Sequence, residues 1–324
     1  MLLEQSVIKP KALAFFQKVF TKFQSRRWQW AIGLPLFLLI NGYILYRLKR
    51  DWAQVQALDW LHLDSRFLIL TAIVQFIGVL IAIFSWMYVL QQFGYQISFW
   101  RHFKIYTISN LTRKMPGLGW DILSRVCMYD QDGGNKIQVS VASLSETVIF
   151  GVSGAIIALI TTILVRNPLE KNYLLFLIGI IVVFLMLLPT PLFSRFLAWV
   201  NQNQQNQQDQ QPKLQLRWYH LLNWVCLNTC TTTLGGLALF LFCCAFGIVD
   251  QNALLPLIRG WALTIASGSL LFWLPESMGV TSGIVVLVLG TLMSTPQAIL
   301  LLIAWRIWNS LNELVWGGIG FLIR

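Results

Sequence analysis

The stretch that decides the fold is residues 110–125, Asn-Leu-Thr-Arg-Lys-Met-Pro-Gly-Leu-Gly-Trp-Asp-Ile-Leu-Ser-Arg, which lies between long apolar runs. Pro116 cannot donate a backbone hydrogen bond and disfavours helical geometry at Met115. Gly117 and Gly119 permit backbone angles that a side chain would exclude. We therefore predict a broken, re-entrant segment, which is tolerated inside a bilayer only where it is buried in protein or lines a wet cavity. An ordinary loop at the membrane surface is the alternative.

A second stretch, residues 274–279 with the sequence Leu-Pro-Glu-Ser-Met-Gly, repeats this pattern between two other apolar runs. Glu146 follows Pro116 by 30 residues, and Arg306 follows Pro275 by 31 residues, each inside an apolar span. Similar discontinuities in two halves of a membrane protein point to a binding site between the halves. The pattern predicts an internal repeat.

The composition predicts the fold class. The chain is 56% hydrophobic and 11% charged, and several apolar runs exceed the roughly 20 residues needed to cross a hydrocarbon core of about 30 Å. We expect an all-α polytopic protein of the cell membrane with seven to eight transmembrane helices in two similar halves, each containing a Pro/Gly-broken re-entrant segment. The eighth helix requires residues 99–115 to cross. Whether they cross also decides whether the repeats are parallel or inverted.

The chain divides into three parts. Residues 1–27 are basic, with apolar residues at helical spacing, which predicts an amphipathic helix on the anionic cytoplasmic leaflet and a cytoplasmic N-terminus. Residues 28–324 form the transmembrane domain, with halves at about 28–200 and 212–324. The linker between the halves, residues 201–211, contains Gln, Asn and one Asp only, so we expect it to be disordered.

Glu146 is the first candidate functional residue, because a carboxylate in an apolar span is costly unless it is paired, protonated or in contact with water. It either serves function directly or forms a structural ion pair with Arg125 or Arg306. Both alternatives place Glu146 in the protein interior.

The last span carries a polar stripe. Arg306, Asn309, Ser310 and Glu313 are spaced i, i+3, i+4 and i+7, so they share one face of a helix. Lipid would not tolerate that face, and we expect it to point into the bundle.

The basic residues near the first break suit an anionic headgroup, because a guanidinium group binds phosphate through two hydrogen bonds. Arg113, Lys114 and Arg125 are the candidates, and a solvated cluster at the membrane surface is the alternative for Arg113 and Lys114. The net charge of +11 comes without the basic, aromatic-rich patch typical of nucleic-acid binding. We find no catalytic constellation, metal set or cofactor motif, and so expect no enzymatic activity, no metal and no cofactor.

These motifs resemble the lysylphosphatidylglycerol synthase transmembrane-region family of flippase-like membrane proteins. That family has an Asn before a Pro-Gly-x-Gly turn, then an Arg, then a charged residue in the next helix. A second Pro-Gly-Gly-x-Gly motif follows later in the chain. The matching residues here are Asn110, Pro116, Gly117, Gly119, Arg125, Glu146, Pro275, Gly279, Ala298 and Arg306. The second motif departs from the family because Glu276 and Ser277 replace glycines and Ser282 replaces an acid.

The resemblance implies a protein that moves a polar-headgroup lipid or glycolipid between leaflets. Because the chain ends at Arg324, the lipid-translocating part is expected alone, without the aminoacyl-transferase domain of the synthases. The alternative is a non-catalytic subunit that presents lipid to a separate glycosyl- or aminoacyl-transferase. Expected partners are anionic phospholipid or glycolipid, and either a second copy of the chain or such a transferase. The residues expected at the headgroup or cleft are Asn110, Arg113, Pro116, Gly117, Gly119, Arg125, Glu146, Pro275, Glu276, Gly279, Arg306 and Glu313.

Overall fold

A computed structural model describes residues 63–113 except 93 and 96, residues 120–164, 218–270 and 280–323, and the isolated positions 46 and 49. This part of the chain is all helical, apart from short connections. The helices are α1 (Ser65–Gln92), α2 (Phe99–Thr112), α3 (Trp120–Gln131), α4 (Lys136–Leu164), α5 (Trp218–Ala245), α6 (Leu254–Leu270), α7 (Val280–Leu289) and α8 (Thr295–Leu322), with a short 3-10 helix (Gln251–Ala253) before α6.

The predicted fold class is confirmed. Five segments of the described chain are long and apolar enough to cross a membrane, namely α1, α4, α5, α8 and the segment Gln251–Leu270 that contains α6. They coincide with the spans predicted from hydropathy at about 67–90, 137–165, 218–246, 298–323 and 254–273. The predicted spans at 28–46 and 174–193, the basic segment 1–27 and the linker 201–211 lie outside the described residues.

Helices α1 and α5 pack against each other along their lengths and run in opposite directions. At one end the Asp64 amide donates to the Ala245 carbonyl over 3.0 Å. Toward the other end the Asn228 amide donates to the Ser85 hydroxyl over 3.0 Å. The C-terminal ends of α1 and α5 are therefore at opposite faces of the protein. We call the face at the end of α1 face I, and the face at the end of α5 face II.

Helices α2 and α3 form an antiparallel hairpin, hairpin 1, that opens at face I. At its open end Arg101 makes two hydrogen bonds of 2.7 and 2.8 Å to Asp132. At its closed end the Thr112 hydroxyl lies 2.9 Å from the Ser124 hydroxyl. The N-cap of α2 is Ser98, whose side chain accepts a bond from the backbone of the first turn. The 14 residues of α2 span about 21 Å, so this helix is too short to cross the hydrocarbon core alone.

Helices α6 and α7 form a second antiparallel hairpin, hairpin 2, that opens at face II. Gly268 lies beside Thr281 near its closed end, and Gly260 lies beside Val288 toward its open end. Although α6 with the preceding turn meets the length of a span, α7 runs back beside it. The chain then enters α8, whose start is fixed by a capping box at Ser294 and by proline in the first turn.

Each hairpin packs against the last long helix of the other half. On α2 the Lys104 ammonium group donates to the Ile323 carbonyl over 2.8 Å, and Leu111 packs against Gly317 of α8. On α6, Ala262 and Ala266 pack against Gly154 of α4. Within the described residues, each half thus contains a long helix, a hairpin and a second long helix. Because the hairpins open at opposite faces, the repeats are inverted, which answers the question that the sequence left open.

Candidate functional site

The buried charges of the first half form an ion pair between the hairpin and the long helix that follows it. Arg125 of α3 donates through Nη1 to Glu146 Oε2 of α4. The side chains are 2% and 8% exposed, so neither contacts solvent to any useful extent. Of the two partners that the sequence allowed for Glu146, the structure places Arg125 beside it.

The guanidinium group of Arg125 is fully engaged by its surroundings. Its Nε donates to the Ser109 hydroxyl over 3.0 Å, and its Nη2 approaches the Asn110 carbonyl oxygen at 3.3 Å. The rings of Trp86 and Tyr106 both lie 4.5 Å from its central carbon, so it also makes cation–π contacts. All three nitrogens therefore have protein partners, and a headgroup could bind Arg125 only by displacing one of them.

A chain of buried polar groups continues from this pair toward face I. The indole nitrogen of Trp86 donates to the Tyr129 hydroxyl over 2.8 Å, and that hydroxyl lies 2.7 Å from Nδ1 of His102. These contacts connect α1, α3 and α2. These hydrogen bonds fasten hairpin 1 to α1, just as the ion pair fastens it to α4.

In the described part of the second half, apolar residues pack the corresponding helices together. Leu239 of α5, Val285 of α7 and Trp305 of α8 all belong to one buried apolar cluster. The described residues of hairpin 2 are therefore packed through apolar contacts where hairpin 1 uses a buried ion pair.

The polar stripe on α8 divides between the interior and the surface. The Asn309 carbonyl oxygen accepts a bond of 2.7 Å from the Gln75 amide of α1, as expected for a stripe that faces the bundle. Glu313 is half-buried and Arg306 is exposed. The orientation of Arg306 toward the bundle stays a prediction.

Gln75 is a functional candidate that the sequence analysis missed. Besides donating to Asn309, its side chain accepts hydrogen bonds from the Trp308 indole nitrogen, over 2.7 Å, and from the Asn312 amide. A lone amide in an apolar span was the available signal, because an unpaired amide is costly in hydrocarbon.

The residues flanking the first helix break form a second, more accessible ion pair. Arg113 at the end of α2 lies 3.3 Å from Asp121 in the first turn of α3, with side chains 47% and 23% exposed. They lie at the closed end of hairpin 1, where α2 ends and α3 begins. The remaining predicted site residues lie outside the described residues: Lys114, Pro116, Gly117, Gly119, Pro275, Glu276 and Gly279.

The family model for the lysylphosphatidylglycerol synthase transmembrane region matches residues 30–313. The chain belongs to this family. The matched range includes both hairpins, the long helices α1, α4 and α5, and α8 as far as residue 313. Among curated proteins no sequence match is found.

Membership of the lysylphosphatidylglycerol synthase transmembrane-region family agrees with the resemblance drawn from the two motifs. The protein is therefore an integral membrane protein of a family that handles lipids. Among the described residues, a buried ion pair fastens hairpin 1 to α4, and a half-buried row of amides lies between α1 and α8.

Proposed function

We propose that this protein moves a polar-headgroup lipid between the two leaflets of the cell membrane. The observation that carries the proposal is the pair of antiparallel helical hairpins that open at opposite faces, each packed against a long helix of the other half. Inverted repeats with interrupted helices are a common architecture of transporters, and their substrate sites lie near the middle of the bilayer.

The polar side chains of the described helices support this proposal by their depth. The long helices have 28 or 29 residues, which corresponds to about 42 Å and exceeds the hydrocarbon core. Gln75 and Asn309 contact each other ten residues or more from the ends of their helices. Polar groups at that depth must be paired or wet, and the passage of a headgroup requires a path lined by such groups.

The first hairpin would form one wall of that path. Hairpin 1 packs on α8 through Leu111 and Gly317, only four residues from Glu313 and within two turns of Asn312. Arg113 and Asp121, at its closed end, are partly exposed and carry opposite charges. Lipid tails would remain in the bilayer while the headgroup moved along the polar side of α8.

Two further features belong to the proposal. The protein works without chemical catalysis, and its basic N-terminal segment is on the cytoplasmic side of the plasma membrane, as the excess of positive charge predicts. Anionic phospholipid or glycolipid is the expected cargo class.

The test is reconstitution into vesicles that contain tail-labelled lipids with different headgroups. A membrane-impermeant quencher reaches only the outer leaflet, so movement between leaflets increases the quenched fraction relative to vesicles without protein. We expect such an increase for at least one headgroup. No increase for any headgroup, with or without an ion gradient, would refute the proposal. Lipid binding without movement would instead favour a subunit that presents lipid to a transferase, and uptake of a soluble solute would indicate a solute transporter.

A further inference from the structure

The described part of α1 and α8 contains a group of polar side chains that the fold alone does not explain. We call it the amide cluster, and it consists of Gln75, Trp308, Asn309 and Asn312. Gln75 is at its centre, because its amide nitrogen donates to Asn309 over 2.7 Å and its carbonyl oxygen accepts from the Trp308 indole over 2.7 Å and from Asn312. All four side chains are half-buried.

The mutual hydrogen bonds use only part of the capacity of these amides. A carboxamide has two donor hydrogens and an oxygen that accepts two bonds. Among the described residues, the Asn309 amide nitrogen and the Asn312 carbonyl oxygen make no hydrogen bond, and neither atom is enclosed by protein. Fastening two membrane helices together would account for the bonds to Gln75. It does not account for a donor and an acceptor left open at the side.

An open donor and acceptor at this depth require a polar partner, because exposing them to hydrocarbon is costly. None of the four side chains ionises, so the open donor and acceptor themselves offer no charge to a phosphate or an ammonium group, although Arg306 and Glu313 share this face of α8. A hydroxyl group both donates and accepts, and neighbouring hydroxyls match the neighbouring donor and acceptor of Asn309 and Asn312.

The neighbouring aromatic residues favour a sugar ring or a similar polyol. Phe76, the residue after Gln75, is 38% exposed and stacks on Trp316 with ring centroids 4.9 Å apart. Trp316 is one helical turn beyond Asn312. The cluster therefore combines open amide groups with an adjacent apolar aromatic surface, which suits the hydroxyl edge and the C–H face of a sugar.

We propose that the amide cluster binds the uncharged, hydroxyl-bearing part of a lipid headgroup, with a glycosyl diacylglycerol as the representative ligand. This inference rests on the proposed function and names the headgroup chemistry of that same path. It predicts selection by hydroxyl groups rather than by headgroup charge.

The experiment measures binding to the detergent-solubilised protein by native mass spectrometry, with a monoglycosyl diacylglycerol, a phosphatidylethanolamine of the same tails and free glucose as the probes. The test variant is Asn309→Leu/Asn312→Leu. The control is Asn223→Leu, which removes an amide that bonds the Tyr88 hydroxyl elsewhere on the α1–α5 surface. We expect the glycolipid to bind the test variant about tenfold more weakly per hydrogen bond lost, and the control to bind it like the wild type.

Three outcomes would overturn the inference. In the first, the test variant binds glycolipid as tightly as the wild type does. In the second, the control variant loses as much glycolipid affinity as the test variant. In the third, the wild type binds glycolipid and phosphatidylethanolamine with equal affinity. Displacement of the glycolipid by equimolar free glucose would refute a lipid as the ligand and show that the cluster binds a soluble polyol. Vesicle assays on the same preparations separate the two proposals, because glycolipid binding without movement refutes translocation and leaves this inference standing.

Discussion

The buried ion pair provides the sharpest test of the structure, through a double-mutant cycle at Arg125 and Glu146. Arg125→Met leaves the Glu146 carboxylate 8% exposed and without its cation, and removing one partner of a buried pair typically costs about 3–5 kcal/mol. Glu146→Leu leaves the guanidinium with Ser109, Asn110 and two aromatic rings. We therefore expect Glu146→Leu to lower the free energy of unfolding by about 3 kcal/mol, at the lower end of that range.

The double variant Arg125→Met/Glu146→Leu is expected to be more stable than either single variant. Replacing a buried pair with apolar residues of similar size is often neutral or stabilising. Asn110 loses its bond to Arg125, as does Ser109, which still donates to the Tyr106 carbonyl over 2.9 Å. The remaining cost should be about 2 kcal/mol, at about 1 kcal/mol for each lost bond. Simple addition of the single effects would instead give about 6–8 kcal/mol.

The measurement is the free energy of unfolding in mixed micelles of dodecyl maltoside and sodium dodecyl sulfate, followed by circular dichroism. Glu146→Gln is the milder companion variant, because it keeps an acceptor oxygen for Arg125, and it remains measurable if a single apolar variant does not accumulate. Single effects that add to the double effect within about 0.5 kcal/mol would show that the two residues do not interact, and would refute this account of hairpin 1.

Two other predictions address packing and topology. Gly154→Leu should destabilise the protein by about 1–3 kcal/mol in the same unfolding assay, because a Cβ there would lie 2.6 Å from the Ala262 carbonyl, whereas Gly318→Leu, with no neighbour within 4 Å, should be neutral. In a background without the native cysteines, Gln131→Cys and Gln251→Cys should react with membrane-impermeant thiol reagents from opposite sides, since both positions are exposed and belong to faces I and II. Labelling from the same side would contradict the inverted arrangement.

The helices of this protein could be predicted from the sequence because hydropathy is a local property. The span predicted at 137–165 is α4 at Lys136–Leu164. The start of α8 was predicted three residues late, because the capping box at Ser294 was not used. The relative direction of the repeats was not predictable, since it depends on whether α2 returns beside α3. The hydrogen bonds between Arg101 and Asp132 show that it does, and such pairing is set by tertiary packing.

The charged residues of the candidate site could be predicted from the sequence, but the residues that they contact could not. A carboxylate in an apolar span identifies Glu146 on energetic grounds alone. Choosing Arg125 over Arg306 as its partner requires the geometry of hairpin 1. Gln75 was missed because a single amide barely changes the mean hydropathy of a 28-residue helix. Its three hydrogen bonds come from α8, more than 230 residues away in sequence.

The described parts of the two halves share a helix order and differ in what fastens their hairpins. Hairpin 1 is held by a charge-assisted network that must break as a unit, because each partner of Arg125 or Glu146 left alone would be a buried polar group without compensation. In hairpin 2, Val285 packs in a buried apolar cluster with Trp305 of α8, so separating these two residues would leave no charge unpaired. If headgroups pass beside hairpin 1 as proposed, the ion pair need not move, and we expect any opening of the bundle to occur at hairpin 2 rather than at hairpin 1.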